Sequence, residues 1–408
     1  MATLHLSPTY KDAEVFSIQG KALKLTSEDD IKPILEDLSK LEIVKKIDFS
    51  GNTIGIEASK ELAKFINSND SILLNIEEIN FADLYTSRLV DEVVESLTAL
   101  LPVLLKCKKL TILNLSDNAF GLRTIDQLEN YITHAIHLKH LLLSNNGMGP
   151  FAGERIGKAL FHLAQNKESA KTPYLETFIC GRNRLENGSA LYLALGLKAH
   201  KDGLKVVKLY QNGIRPKGVS TLLNYGLQYN KSLEILDLQD NTFTSSASLI
   251  LAKVLPIWKS TLIELNLNDC LLKTAGSDAV FKVVKENTFP NLKTLKFEYN
   301  EMSQETLENY LIPSIEGTSL PVLEHLEING NRFEEDSEPL DVLQAKFEDL
   351  ELDDLEEVDS DEDEDNEDEE EEEDEEEKMD EVDVTLLEKN LSKLNVDDLA
   401  ADLANTHI

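Results

Sequence analysis

A short hydrophobic pattern recurs through most of this 408-residue chain and constrains its fold more than any other feature. The pattern L-x-x-L-x-L-x-x-N-x-L is clearest in LTILNLSDNAF (110–120), LKHLLLSNNGM (138–148) and LEILDLQDNTF (233–243). We call its Asn position the anchor, and the nine anchors are Asn52, Asn118, Asn146, Asn183, Asn212, Asn241, Cys270, Asn300 and Asn331. From Asn183 to Asn331 the spacings are 29, 29, 29, 30 and 31 residues. Such regularity indicates a repeat protein.

Each repeat predicts a strand, a turn and a helix. The L-x-L core predicts a strand with alternate residues inward, and 58–65 (ASKELAKF) and 153–163 (GERIGKALFHL) predict helices. The anchor amide can satisfy backbone groups of neighbouring turns, and Cys270 fits there as a small buried donor. A weaker unit has Leu84 at the anchor place, and a degenerate start near Phe16 predicts an N-terminal cap. We therefore expect an α/β solenoid of about 11 leucine-rich repeats, with a parallel sheet on the concave side and helices outside.

The composition divides the chain into three segments. The repeats occupy residues 1–346. The formal net charge is -36, and most of the excess lies in 348–383, which holds 27 acidic residues and one lysine. We expect 347–383 to be an acidic, disordered segment, because such a run repels itself. The leucine spacing in 384–408 predicts a short amphipathic helix, which is either a docking element or a marginal helix with no specific role.

The N-terminal sequence and the cysteines indicate the cellular compartment in which we expect the protein. The start, MATLHLSPTYKD, has neither the basic nor the apolar region of a signal peptide, and no apolar run reaches the ~18 residues of a membrane span. Cys107, Cys180 and Cys270 are odd in number and widely spaced, which is typical of reduced thiols in a cytosolic or nuclear protein. We expect a monomer with no membrane or nucleic-acid partner.

The sequence contains few candidates for catalysis. Gly147–Gly153 (GMGPFAG) approximates a dinucleotide-binding glycine motif but has one residue too many and lies in a repeat turn. His134, His137 and His140 recur every third residue, but they straddle the start of a repeat and would not share one helix face. We expect no metal site and no cofactor of the chain's own, hence a binding scaffold unless it does chemistry in trans.

The residue before each anchor should lie on a rim where strand turns into loop. This rim column reads Gly51, Asp83, Asp117, Asn145, Arg182, Gln211, Asp240, Asp269, Tyr299 and Gly330. Its four aspartates and one arginine predict an acidic rim suited to a basic partner. On the neighbouring strands, Leu142 and Ile179 are apolar where the concave face should be polar. They predict either a contact patch or packing under a long loop.

The weak second unit breaks its own pattern. It reads NFADLYTSRLVDE over 80–92 and should present Tyr85, Thr86 and Arg88. A repeat that departs from its rule often does so at a functional site, and the alternative is tolerated degeneracy near the cap.

Seven motifs in this order resemble one known family. They are FADLYTSRLVDE (81–92), LSDNAFG (115–121), LSNNGMGPFAG (143–153), ICGRNRLENGS (179–189), VKLYQNGIRPKG (207–218), LDLQDNTFT (236–244) and LNDCLLKTAG (267–276). Together they are similar to the fungal form of RanGAP, the GTPase-activating proteins of the small GTPase Ran. The resemblance covers essentially the whole chain, including its acidic segment.

The resemblance implies a function and a site. The chain would bind Ran in its GTP state, in some assemblies with a Ran-binding protein, and speed GTP hydrolysis in the cytoplasm, with GTP and Mg²⁺ held by Ran. Many activators insert an arginine finger, and Arg88 is the obvious candidate here. The family is understood to use a rim asparagine instead, matched by Asn145, which helps to orient Ran's catalytic glutamine, partly through a tyrosine of Ran. Arg88 then serves binding or positioning.

The resemblance and the rim column together give a set of expected partner-binding residues: Asp83, Tyr85, Arg88, Asp117, Arg182, Asp240 and Asp269. The acidic segment would either steer Ran's basic surface or only keep the protein soluble.

The competing hypothesis is a non-catalytic scaffold or inhibitor of the ribonuclease-inhibitor type. Proteins of that type carry many cysteines and two alternating repeat types, whereas this chain has three cysteines and one dominant repeat.

Overall fold

A single parallel sheet runs through the molecule. The computed structural model describes residues 6–355 and 384–393 and contains an 11-stranded sheet whose order follows the chain, each strand pairing with that of the next repeat. The strands are β1 Val15–Ser17, β3 Lys46–Asp48, β5 Glu78–Asn80, β6 Ile112–Asn114, β7 His140–Leu142, β8 Thr177–Ile179, β9 Val206–Lys208, β10 Ile235–Asp237, β11 Glu264–Asn266, β12 Thr294–Lys296 and β13 His325–Glu327. A second sheet pairs β2 Lys24–Leu25 with β4 Thr53–Ile54. The prediction of about 11 repeats is confirmed.

Helices link successive strands and pack against one another on the convex side of the solenoid. They are α1 Glu28–Leu38, α2 Ile56–Ser68, α3 Asp70–Asn75, α4 Val90–Leu104, α5 Ile125–His134, α6 Gly149–Ala170, α7 Glu186–Ala199, α8 Pro216–Tyr225, α9 Thr244–Val254, α10 Lys273–Glu286, α11 Gln304–Thr306, α12 Ile312–Glu316, α13 Glu338–Lys346 and α14 Val384–Leu391. Leu307–Leu311 forms a π-helical turn between α11 and α12. The helices expected at 58–65 and 153–163 lie inside α2 and α6.

The middle residue of each strand forms the core column between the sheet and the helices. In-register pairing aligns Ile79 with Leu113, Leu113 with Leu141 and Leu141 with Phe178. All four side chains are fully buried. The flanking strand residues point the other way, towards the concave face, as the period of two in a strand requires. The L-x-L core of the repeat therefore does what its pattern predicts.

The anchor residues form a hydrogen-bond ladder beneath the turns, interrupted only at Leu84, which takes part through its backbone N–H donating to Asn118 Oδ1 at 2.7 Å. In a representative rung, Asn146 Nδ2 donates to the carbonyl oxygens of Leu115 (3.0 Å) and Leu143 (2.9 Å). Its Oδ1 accepts from the backbone N–H of Asn118 at 2.9 Å. Asn146 N–H in turn donates to Asn183 Oδ1 at 2.9 Å. One buried carboxamide thus satisfies backbone groups in two neighbouring repeats, which removes an unsatisfied-group penalty of about 1–3 kcal/mol for each partner.

The anchor that is not asparagine keeps only part of this bonding. Cys270 Sγ donates to the carbonyl oxygen of Leu238 at 3.3 Å, and the Cys270 N–H donates to Asn300 Oδ1 at 3.1 Å. Burial raises the pKa of the Cys270 thiol, so it stays protonated and can donate. The expectation of a small buried donor at this position agrees with the geometry.

The solenoid ends later than the composition predicts. Phe347 is buried, and Leu350, Leu352 and Leu355 pack against the core. Asn329 Nδ2 donates to Asp353 Oδ1 at 2.8 Å, and Tyr299 hydroxyl donates to Asp354 Oδ2 at 3.0 Å. Residues 347–355 therefore cover the last repeats, and assigning them to a disordered acidic segment was wrong. Leucines recur between the acidic residues of this stretch, and this spacing indicates burial more reliably than the local charge.

Two of the predicted segments lie partly outside the described residues. Residues 356–383, which hold most of the acidic run, are not described, nor are 394–408. The helix predicted in 384–408 is present as α14. None of the helices in the described part of the chain is long and apolar enough to cross a bilayer.

The anchor ladder generates a stability prediction. Asn146→Ala removes the amide that serves Leu115, Leu143 and Asn118, and we expect a loss of about 1–3 kcal/mol in the free energy of unfolding, measured by urea denaturation. The matched control is Asn145→Gly, one residue earlier and exposed, which should change stability by less than about 0.5 kcal/mol. Equal losses in the two variants would contradict the structural role given to the anchor.

Candidate functional site

The rim column adopts one backbone conformation throughout. Its ten residues, Gly51 to Gly330 as given above, all have positive φ, between 47° and 69°. The cause lies in the repeat pattern. Two residues, rather than one, separate the inward Leu115 from the inward Asn118, so the strand alternation breaks and a left-handed residue makes the turn. Gly, Asn and Asp tolerate this conformation best.

This conformation changes the meaning of the rim composition. The aspartates at 83, 117, 240 and 269 suit the backbone, so their recurrence is not by itself a sign of partner binding. Arg182, Gln211 and Tyr299 are different, because residues with large side chains pay roughly 1–2 kcal/mol for a left-handed backbone. A residue retained against such a cost is a stronger candidate for a specific role. Tyr299 has a structural one, since its hydroxyl donates to Asp354.

Asn145 lies exposed on the rim beside its buried neighbour. Its φ is 54°, its N–H donates to the carbonyl oxygen of Gly181 at 2.9 Å, and its side-chain Nδ2 donates to Asp117 Oδ1 at 2.9 Å. Asn146 is 0% exposed. The adjacent asparagines therefore point in different directions. The backbone and Asp117 hold the Asn145 carboxamide in place at the protein surface.

Neighbouring rim residues form a continuous row. Each rim N–H donates to a backbone carbonyl oxygen of the next repeat: Asp83 to Ser116 at 3.0 Å, Asp117 to Ser144 at 2.8 Å, and Arg182 to Tyr210 at 2.8 Å. This spacing follows the sheet, whose strands lie about 4.8 Å apart. Arg182 is exposed, as are Asn145 and Asp117. The structure thus brings the predicted residues Asp117, Asn145 and Arg182 of three consecutive repeats into one surface strip.

Tyr210 is a feature of this strip that sequence reasoning missed. Its ring lies against the backbone of Gly181, where an added Cβ would come within 2.4 Å of the ring. Its hydroxyl donates to Ser144 Oγ at 3.2 Å. The tyrosine therefore braces the residue that precedes Asn145. The pairing of a glycine in one repeat with a tyrosine at the same position of the next was the available signal.

Two of the rim aspartates, Asp240 and Asp269, belong to adjacent repeats and influence each other. Partial burial, and then the charge of Asp240, raise the pKa of Asp269. These two carboxylates on adjacent repeats repel each other. A cationic group placed against them would relieve that repulsion.

Arg88 does not project from the molecule as a finger. Its side chain is 10% exposed, its Nε donates to Thr53 Oγ1 at 2.9 Å, and its Nη2 donates to Thr26 Oγ1 at 3.0 Å. Glu92 Oε1 lies 3.6 Å from its Nη1. The guanidinium thus ties together three segments at the N-terminal end of the rim. A cavity of about 450 Å³ beside it is also lined by Lys24 and Asp83.

Tyr85 is inside the protein, so the prediction that the second unit presents this ring was wrong. The side chain is 4% exposed, its ring centroid lies 6.0 Å from that of Phe120, and its hydroxyl is 2.8 Å from Ser96 Oγ. Thr86 remains exposed and donates to Asp83. The missing anchor asparagine at Leu84 is thus accompanied by an additional buried aromatic residue.

The other candidates from the sequence are dispersed or small. His134 ends α5 and His140 begins β7, where its Nδ1 is 2.9 Å from Thr177 Oγ1. No group of three metal-ligating side chains occurs within residues 6–355 or 384–393. Leu142 and Ile179 are paired across β7 and β8, half-buried and 9% exposed respectively, so they offer little apolar area.

The fold and its ladder of anchors define a leucine-rich-repeat protein. The Leucine Rich repeat family model matches residues 106–122 and 229–246. Among solved structures, an internalin from Listeria monocytogenes aligns over 85% of this chain and 87% of its own, with 15% identity and a TM-score of 0.40.

Sequence comparison narrows the class. Ran GTPase-activating protein 1 of Saccharomyces cerevisiae is 71% identical over 352 residues, covering 86% of each chain. Ran GTPase-activating protein 2 of Caenorhabditis elegans is 37% identical over 211 residues, covering 50% of this chain and 21% of its own. The chain belongs to the Ran GTPase-activating protein family.

The Arg88 contacts lead to a prediction about local structure. In Arg88→Lys, one ammonium cannot reach Thr26, Thr53 and Glu92 together, so we expect stability to fall by about 1–2 kcal/mol. Hydrogen exchange should become faster in the segments around Thr26 and Thr53. The control is Arg182→Lys on the exposed rim, where the change should stay within about 0.5 kcal/mol. Unchanged exchange in Arg88→Lys would contradict the bridging role.

Proposed function

We propose that this chain binds Ran in its GTP form and stimulates GTP hydrolysis by positioning Ran's own catalytic glutamine through Asn145. Membership of the Ran GTPase-activating protein family supports the target. The placement of Asn145, exposed on a rigid rim, is the single observation that supports the mechanism. The GTP and Mg²⁺ belong to Ran, so the chain acts in trans and supplies no cofactor. Its place of action is the cytoplasm, where it would sustain the Ran gradient for nucleocytoplasmic transport.

The carboxamide of Asn145 suits this task chemically. It presents a donor and an acceptor without a charge, and can therefore hydrogen-bond to another amide side chain or to a hydroxyl. The left-handed backbone and the bond to Asp117 keep it oriented before Ran arrives. A group that is already oriented loses little free energy to reorganisation when the transition state forms.

The geometry of the arginines argues against a finger at Arg88. An arginine finger must extend into the partner's site, whereas Arg88 is bonded to Thr26 and Thr53. Its contribution is to shape the N-terminal rim that Ran would contact. Arg182, exposed and adjacent to Asn145 in the rim column, is the more accessible of the two arginines. We assign it a binding role, because the family resemblance gives the catalytic one to the asparagine.

The rim aspartates also suit the left-handed backbone, but their negative charge would favour a basic partner. Asp83 and Asp117 precede Asn145 along the rim, and Asp240 and Asp269 extend the negative charge along the later repeats. Complementary charge raises association rates and fixes the orientation of the complex.

The central test uses stimulated GTP hydrolysis in a single-turnover assay with Ran. Asn145→Gly keeps the left-handed backbone, and Asn145→Ala adds a modest backbone cost. We expect both to lower the stimulated rate by about 10²-fold or more, as loss of an oriented catalytic donor does elsewhere. Wild-type stimulation by folded Asn145→Gly would refute the role given to Asn145.

Arginine variants in the same assay distinguish binding from catalysis. Arg88→Ala and Arg182→Ala should weaken complex formation while leaving the rate at saturating protein within about tenfold of the wild type. If either abolished turnover with binding intact, that arginine would be a finger. If catalytic amounts of the wild-type chain gave no acceleration at all, only the scaffold of the ribonuclease-inhibitor type would remain.

The charge of residues 359–377 generates a separate prediction. Replacing them with an uncharged Gly/Ser segment of equal length should lower the rate of association with Ran-GTP at low salt. The difference should shrink towards high salt as the charges are screened. Stopped-flow measurement at both salt concentrations tests this. An unchanged rate at both would show that the segment only aids solubility.

A further inference from the structure

A second hydrophobic cluster lies outside the solenoid core. It joins Phe161 of α6, Leu195 of α7 and Leu391 of α14, which are 8%, 0% and 3% exposed. Tyr192, Ala199, Val384 and Leu387 are half-buried against them. Helix α14 therefore lies against the convex face of the middle repeats, although it follows the last repeat in the chain.

The amphipathic stripe of α14 matches this location. Val384, Leu387 and Leu391 follow a spacing of three and four residues, so they share one helix face. Leu386 lies on another face and is 53% exposed. An eight-residue helix is marginal in water by itself. Its persistence therefore depends on the contacts with α6 and α7.

Charge adds specificity to the contact. Lys198 Nζ lies 2.7 Å from Glu388 Oε1, and both side chains are 27% exposed. The same ammonium lies 4.4 Å from the centroid of the Tyr229 ring. The lysine is thus oriented by an aromatic residue of the next repeat and meets the single carboxylate of α14. Glu388 follows Leu387 directly, at the border of the apolar stripe.

The long repeat supplies part of the surface. The anchors Asn146 and Asn183 are 37 residues apart, compared with 29 to 31 in the following repeats, and α6 has 22 residues. Phe161 lies in the second half of this long helix. A cavity of about 710 Å³ continues along the contact and is lined by residues of α6, α7 and α14.

We propose that Phe161, Tyr192, Leu195, Lys198 and Ala199 form a helix-binding groove, here called the convex groove, whose occupant is α14 of the same chain. The helix acts as a latch. It fastens the chain to the solenoid at Val384, as the contacts of Asp353 and Asp354 fasten it before residue 356. The acidic run is then attached to the solenoid at both ends, rather than at one.

Hydrogen exchange of the full-length protein, followed by mass spectrometry, tests the latch. We expect amides of 384–391 to be protected in the wild type and to lose at least about tenfold in protection in Leu387→Asp. The matched control is Leu386→Asp, on the exposed face of the same helix, which should retain protection. Wild-type amides that exchange at the rate of an unstructured peptide, or equal losses in both variants, would overturn the proposal.

Charge exchange and dilution complete the test. Lys198→Glu should reduce the protection of 384–391, and the double variant Lys198→Glu, Glu388→Lys should restore it. A double variant no better protected than the single one would overturn the role of Lys198.

Unchanged exchange of the β-strand amides shows that each variant is folded. Protection should be the same on tenfold dilution, and concentration-dependent protection would assign the groove to a second copy. None of these measurements involves Ran, so they succeed or fail independently of the proposed activity.

Discussion

The hydrogen bonds of the anchor carboxamides hold the architecture together. A solenoid buries its core only between neighbouring repeats, so each turn must satisfy its backbone groups locally. Asn146 does this for Leu115 and Leu143, and its oxygen accepts from Asn118. The same bonding recurs at the asparagines from Asn52 to Asn331, whereas Cys270 retains only a donor and Leu84 takes part only through its backbone N–H. Because each amide spans two repeats, the ladder sets the regular stacking on which both faces of the solenoid depend.

The ladder also explains the form of the rim. Two residues, rather than one, separate the last inward strand residue from the inward anchor, and the residue before the anchor therefore lies in the left-handed region. The rim therefore consists of short, exposed turns whose backbones are fixed by the next repeat, as Asn145 is fixed by Gly181. Such turns can present a side chain with little conformational freedom. The same geometry thus requires a left-handed residue and presents its side chain to a partner. Asparagine at position 145 suits both, because it tolerates the left-handed backbone and carries a hydrogen-bonding carboxamide.

Much of the fold was predictable because the apolar residues of each repeat recur at regular spacings. The strands, the helices around 58–65 and 153–163, and the repeat number all follow from apolar spacing, which reports on burial directly. Predictions were wrong where the sequence departs from the repeat pattern. Tyr85 was expected at the surface but fills space in the core beside Phe120. The leucines of 347–355 were assigned to an acidic segment but close the last repeats. In both cases burial depends on neighbours that are distant in sequence.

The candidate site, like the fold, was predictable from the sequence only in part. By itself, the sequence determined the repeat fold, the difference between the anchor Asn146 and the rim Asn145, and, through its motifs, the family. Only the tertiary structure decided that the whole rim is left-handed, that Arg88 is bound to Thr26 and Thr53, and that α14 lies against α6 and α7. The physical reason is that periodicity records which way a side chain points within its own repeat. The contacts that decided these points join distant parts of the chain, such as those from Arg88 to Thr53 and Thr26, which are 35 and 62 residues away.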